Sequence, residues 1–222
     1  MIRSPLLSSL GIVHGYSTRT QSRECFFDEL GISKDDVVQG EQVHGIRIAV
    51  VTDGDKGKIL SGTDGLVSKR SPIAVAFADC VPVLAVDKDA GIIGTAHAGW
   101  KGTLGGIAGE LIAEMKKNGA NVGNVYISIG PHIGMCCYNI KEDRAGEFQK
   151  KFGMNEKISI KYQGEWRLDI GYANYVQLLD AGVMKDHIDA PVICTSCRVA
   201  EFHSFRKDSK EKFGVQLGVI SI

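Results

Sequence analysis

Short apolar runs separated by turn residues fill the first half of the chain, and longer helix-period stripes interrupt them in the second. Residues 24–30 (ECFFDEL) predict a short helix closed by Gly31. Strands are predicted at Ile46–Val51, Ile73–Ala78, Val83–Val86 and Ile92–Ala96. Turn chemistry at Asp87-Lys88-Asp89-Ala90-Gly91 joins the last two as a hairpin. Over residues 103–118, Leu104, Ile107, Ala108, Leu111, Ile112 and Met115 recur at three- and four-residue steps, and Gly119 ends the helix they predict. A strand at Val125–Ile129 and a more polar helix near 140–151 follow. Strands at 157–162 and 165–169 then flank Gln163-Gly164, before a helix over 171–180 with Gly182 beyond it. The tail reads as strands near 191–194, 201–206 and 215–221. The fold class is therefore α/β with mixed sheets, and the absence of any linker or repeat argues for one domain.

Composition narrows the partners rather than the fold. The 222 residues are 44% hydrophobic and 23% charged, and Lys+Arg and Asp+Glu are both 26. A balanced charge excludes a general nucleic-acid or anionic-membrane footprint. The most apolar run, residues 72–86, is too short to span a bilayer and carries Asp79. The N-terminus shows no signal-peptide pattern. A cytoplasmic protein is expected, with its six cysteines reduced.

Three candidate metal ligands fall at the ends of apolar runs or the starts of loops: His44 in GEQVHG, Cys80 in FADC and His97 in GTAHAG. Two imidazoles and a thiolate suit Zn2+ and leave one tetrahedral position open. The same atoms also describe a Cys80–His97 nucleophilic pair. With a distant methionine such as Met135 they would describe an electron-transfer Cu2+ site. A core thiol with two loop histidines is the plain alternative, and the spacing matches no short zinc pattern. The glycine-rich GWKG turn opens the 103–118 helix, where backbone amides and Lys101 could meet an anion or simply make a tight connection. Cys194-Thr195-Ser196-Cys197 has metal-ribbon spacing, but Cys136-Cys137 is adjacent rather than matching, so free thiols are expected there.

Taken together, several stretches are more specific than any one motif. QVHG at 42–45, DGLVS at 64–68, ADCVPVL at 78–84 and HAGWKG at 97–102 occur in that order. IGPHIGMCCYNI at 129–140, LDI at 168–170, CT at 194–195 and FHSFRKD at 202–208 follow. The chain resembles the laccase-domain purine nucleoside phosphorylase family, also known under polyphenol oxidase and peptidoglycan-editing names. The resemblance implies a single catalytic domain over 1–222 in a layered α/β/β/α arrangement related to cysteine hydrolases. It implies an open zinc site on His44, Cys80 and His97, with copper as the other metal attributed to the family. The implied activity is phosphorolysis of adenosine, inosine and methylthioadenosine, with adenosine deamination beside it. Phenol oxidation and Cys-His hydrolysis of a peptidoglycan precursor are the other readings. Phosphate is expected near Arg19 and Arg206, and Gln42 and His132 are expected as polar groups of the pocket. A monomer or weak homo-oligomer is expected. The family's Arg-Arg-Asp is here Arg206-Lys207-Asp208, and its Gly-Arg-Gln is Gly214-Val215-Gln216. Asn139 replaces the glutamate after the Cys-Cys-Tyr, and Thr20-Gln21 replaces a glycine pair.

Overall fold

Successive side chains on a strand face opposite ways, and in the central strands of this chain both faces are buried. The computed structural model describes residues 1–222. In chain order its first strands are β1 (Val13–Tyr16), β2 (Val38–Gly40), β3 (Ile48–Val50), β4 (Ile59–Leu60) and β5 (Gly65–Ser68). Next come β6 (Ile73–Phe77), β7 (Val81–Asp87), β8 (Ile92–Ala98) and β9 (Val125–Ile129). The remaining strands are β10 (Asn139–Ile140), β11 (Ser159–Tyr162), β12 (Glu165–Leu168), β13 (Ile188–Asp189) and β14 (Gln216–Ser221). The helices are α1 (Pro5–Ser9), α2 (Arg23–Leu30), α3 (Trp100–Gly105), α4 (Ile107–Lys117), α5 (Glu142–Phe152) and α6 (Ile170–Asp180).

One six-stranded sheet runs β13-β9-β7-β8-β5-β3 and one five-stranded sheet runs β1-β14-β6-β2-β4, while β10-β12-β11 form a small third sheet. Both large sheets are mixed: β2 pairs in parallel with β4 and β6, β3 with β5, and β13 with β9, and the other ladders are antiparallel. Alternation along the strands builds the layers. Val83, Ala85 and Ile92 face a core shared with Leu111, Met115 and Leu178 of the helices. Their neighbours Leu84, Val86 and Ile93 face the second sheet through Ile73, Val75 and Phe77. On the outer side of that second sheet, Ala74, Leu217 and Val219 pack under Phe26, Phe27 and Leu30 of α2. The order is helix, sheet, sheet, helix. Leu111 is fully buried, and truncating it to alanine would cost about 2–5 kcal/mol.

Most expected elements are present, including the hairpin expected over 83–96, whose strands run Val81–Asp87 and Ile92–Ala98, and the Gly31 cap of α2, which adopts left-handed φ. Two expectations need correction. The helix expected over 103–118 is two helices, because Gly106 takes φ 97° and ends α3 before α4 begins. Only a residue without Cβ adopts that geometry freely, and the stripe from Leu104 to Met115 spans the break. The strands expected near 191–194 and 201–206 are turns, apart from one isolated bridge between His132 and Cys194. That segment is folded inward by the buried Asp79, whose carboxylate accepts from Thr195 Oγ1 (2.6 Å), Ser204 Oγ (3.0 Å) and the Arg206 N–H (2.7 Å). Local alternation cannot signal a bond partner more than a hundred residues away. No helix is long and apolar enough to cross a membrane.

Candidate functional site

His97 lies at the end of β8 and is 3% exposed. In the β7–β8 ladder it sits opposite Pro82, which brings Cys80, just ahead of β7, alongside it. The third member, His44, arrives on an irregular loop. Its ring centroid is 4.8 Å from that of His97, nearly edge-on at 83°. One ligand atom each from His44, Cys80 and His97 lie within 4.8 Å of one another.

The backbone around this cluster is constrained. Gln42 (φ 58°), His44 (φ 62°) and Asp79 (φ 80°) are three of the four non-glycine residues with left-handed φ. Such conformations cost of order 1–3 kcal/mol and persist only where the surroundings impose them. Asp64 supplies that constraint for the loop that carries His44. It is 2% exposed, and its Oδ1 accepts from the His44 N–H (2.8 Å) and lies 3.0 Å from His97 Nδ1. Its Oδ2 accepts from the N–H groups of Gly45 (2.7 Å) and Val43 (3.2 Å). Gln42 adds a two-way clamp, its amide donating to the Ala76 carbonyl and accepting from the Ala76 N–H, both at 2.7 Å. Gly99 admits the cluster: a Cβ there would lie 3.0 Å from His44 Cδ2 and 3.1 Å from Cys80 Sγ.

Electrostatics follow from this packing. Burial by itself would push the Cys80 thiol up, but hydrogen bonding to His44 and His97 outweighs it and brings the pKa to about 7. Burial would likewise push His97 down, but its bonds to Asp64 and Cys80 raise it to about 9. Asp64 falls below the usual carboxylate range: burial opposes the shift, and the His97 ring with the Gly45 and His44 N–H groups overcomes it. With Nδ1 held by a carboxylate, His97 keeps its proton there and turns Nε2 toward Cys80, the arrangement in which a histidine ligates a metal. A near-thiolate and two imidazole nitrogens suit zinc or copper, and no fourth protein donor belongs to the group.

All three side chains line a cavity of about 570 Å³, within the range of small-molecule sites. Apolar groups including Ile133, Ile170, Phe205, Phe213 and Val215 make up most of its wall, and Arg144 and Arg206 bring positive charge. The Arg144 guanidinium carbon lies 3.9 Å from the centroid of the Trp100 ring. Arg206 donates from Nη1 to the Asn139 carbonyl (3.1 Å) and lies over Tyr138.

Of the sequence-derived substrate contacts, Gln42 and Arg206 line this cavity, and Arg19, Lys101 and His132 do not. Arg19 is engaged with Asp208 and donates to the Val199 carbonyl (2.7 Å). Lys101 is exposed, its Nζ 5.7 Å from the Trp100 centroid. His132 is buried, with Nδ1 2.8 Å from the Gly130 carbonyl and its ring packed on Gly171. Met135 is also absent from the lining. Sequence reasoning did not single out Asp64 or Arg144. Asp64 had a signal, an acid immediately before the apolar strand in the DGLVS motif; Arg144, one of several charges on a polar helix, had none.

A four-layer α/β protein with a His-Cys-His pocket, built from two strand ends and one loop, is the class that fold and site define. The family model described as multi-copper polyphenol oxidoreductase laccase matches residues 17–222. The chain belongs to that family, the one whose motifs the sequence resembles. It is 38% identical over 180 residues to purine nucleoside phosphorylase YlmD of Geobacillus stearothermophilus, covering 76% of this chain and 66% of that protein. It is 33% identical over 190 residues to adenosine deaminase RL5 of an unknown prokaryotic organism, covering 81% and 72%. The crystal structure of YlmD from Geobacillus stearothermophilus superposes with a TM-score of 0.89 at 30% identity, covering 100% of this chain and 97% of that one. The alignment thus spans about two thirds of the length of the curated relatives.

Proposed function

We propose that the chain is a zinc-dependent purine nucleoside phosphorylase acting on adenosine, inosine and methylthioadenosine, with adenosine deamination as a side reaction. One observation carries the reading: a soft three-donor cluster and two arginines line the same largely apolar cavity. The names of the similar proteins above support it. A zinc ion on His44, Cys80 and His97 would supply a Lewis acid and lower the pKa of bound water to about 7.

The chain's own residues supply the rest. Arg144 and Arg206 neutralise phosphate through charge-assisted hydrogen bonds and hold one of its oxygens toward the anomeric carbon. The glycosidic C–N bond breaks as the C–O bond forms, so the ribose ring carries oxocarbenium charge beside the bound anion; the purine leaves with the bonding pair and takes up the proton that the phosphate releases. The apolar wall that includes Phe205 and Phe213 accommodates the purine and excludes water from the phosphate. Asp64 keeps His97 in one tautomer throughout. Reduced thiols, with all six cysteines unpaired, fit a cytoplasmic enzyme.

The test is metal content together with chromatography of the products formed from inosine and phosphate. Hypoxanthine and ribose 1-phosphate are expected, and His97→Ala should lose the metal of this site together with turnover. Full phosphorolysis by His97→Ala with this site empty would falsify the proposal.

A second reading has its own observation. The lowered Cys80, the raised His97 and the Asp64 carboxylate form a cysteine–histidine–aspartate line, the arrangement of an activated thiol nucleophile. It requires turnover that survives metal removal and a thioester on Cys80. Phenol oxidation has less support: only two of the six histidines join the cluster, and the other close group is made of four cysteines.

A further inference from the structure

Cys136 and Cys137 lie in the turn before β10, and Cys194 and Cys197 in the turn-rich segment that follows β13. Their four Sγ atoms all lie within 4.8 Å of one another. Cys197 Sγ is 3.5 Å from that of Cys136 and 3.4 Å from that of Cys137. Cys194 Sγ also accepts the Gly134 N–H at 3.3 Å, a bond that favours a thiolate at that sulfur. The donors are all sulfur and number four, whereas His44, Cys80 and His97 number three.

Spacing separates the two fates of such a group. A disulfide needs its sulfurs at about 2.05 Å and joins only two of them. A tetrahedral zinc tetrathiolate with Zn–S of about 2.3 Å places its sulfurs roughly 3.8 Å apart. The two separations at Cys197, 3.5 and 3.4 Å, lie within a few tenths of an ångström of that cage, and all four sulfurs fall within 4.8 Å of one another. All four cysteines are unpaired.

We propose that Cys136, Cys137, Cys194 and Cys197 form a second, closed metal site that takes one zinc ion as a structural clasp. It joins two loops that share little regular structure. Across them, His132 N–H donates to the Ile193 carbonyl (3.1 Å) and Thr195 N–H to the His132 carbonyl (3.0 Å), with one isolated bridge as their only ladder. The clasp reaches the cavity by two routes. Ile133 and Tyr138 flank the first cysteine pair and line the cavity. Thr195, between the second pair, donates to Asp79, which also holds the Arg206 N–H. The ion therefore fixes the wall that carries Phe205 and Arg206 without touching substrate.

The full-length chain, purified in reductant without chelator, should contain two zinc ions per chain by elemental analysis and native mass spectrometry. The double variant His44→Ala/His97→Ala leaves the clasp intact and should retain one ion, with X-ray absorption showing four sulfur neighbours at about 2.3 Å. Cys194→Ser/Cys197→Ser should also retain one ion, now with a mixed nitrogen and sulfur shell. The proposal is overturned if the histidine variant is folded and metal-free, if its ion shows nitrogen or oxygen neighbours, or if intact-mass analysis finds a disulfide among the four cysteines. Because the histidine variant keeps all four cysteines, a Cys194→Ser/Cys197→Ser protein that does not fold leaves the decisive measurement available. The outcome is independent of which reaction the cavity performs.

Discussion

The two sulfur-bearing clusters differ in what holds their donors before any ion arrives. His97 and Cys80 stand beside a strand pair of seven matched residues, and Asp64 bonds both the His97 ring and the loop that carries His44. Cys136, Cys137, Cys194 and Cys197 lie on turns joined by a single isolated bridge. Where strands and a buried carboxylate already fix the geometry, a bound ion would be free to serve chemistry in the cavity that adjoins it. Where the backbone provides a single bridge, the proposed ion would supply the link between the two loops. Donor count agrees, with three beside a cavity and four in the clasp.

His97→Ala gives the largest effect on this contrast. It should empty the cavity site, leave the clasp loaded and lower kcat/KM for inosine phosphorolysis on the order of 10³-fold, about 4 kcal/mol. Loss of both ions would show that the clusters are not separable.

Asp64→Asn comes next. Partners of this kind change metal affinity by roughly 10–100-fold, so a chelator competition should show that loss with the clasp unaffected. In metal-free protein, NMR titration should find the His97 pKa below its present value of about 9, because the carboxylate that favours the imidazolium is gone. An unchanged affinity would make Asp64 a loop staple only.

Arg144→Ala should raise KM for phosphate about tenfold with kcat less affected, the size expected for one charge-assisted contact. Thr195→Val probes the link from clasp to cavity. It removes the hydroxyl bonded to Asp79 and should raise the same KM by a smaller factor, while both ions stay bound. A fall in kcat without change in KM would point instead to a disturbed Cys80.

The smallest effect is a shift along the pH axis. Cys80 in metal-free protein has a pKa lowered to about 7. Its thiolate, and hence iodoacetamide alkylation, should be largely present above that pH and lost below it. A free thiol of pKa about 8.5 gives the same curve displaced upward. Alkylation of Cys80 that follows the free-thiol curve would mean that the histidines do not hold the thiolate.

Much of this organisation was legible in the amino-acid sequence because it is local. Continuous apolar runs marked β6, β7 and β8, turn residues marked the hairpin, and the stripe from Leu104 to Met115 marked the helical face under the central sheet. His44, Cys80 and His97 stood out as chemistry-bearing residues at the ends of apolar runs. What composition and spacing left open was their convergence, which depends on strand register and on Asp64, a residue with no local periodicity. The same limit explains the cysteines: an adjacent pair and a CxxC do not look like one site until the chain between them has folded. Lys101 shows the reverse, a suggestive turn whose lysine points away from the cavity once α3 is placed. Sequence alone therefore determined most of the elements, the α/β class and the candidate donors. Tertiary structure alone decided which donors meet, because contacts between distant segments follow from register and layer packing, which no short window of residues contains.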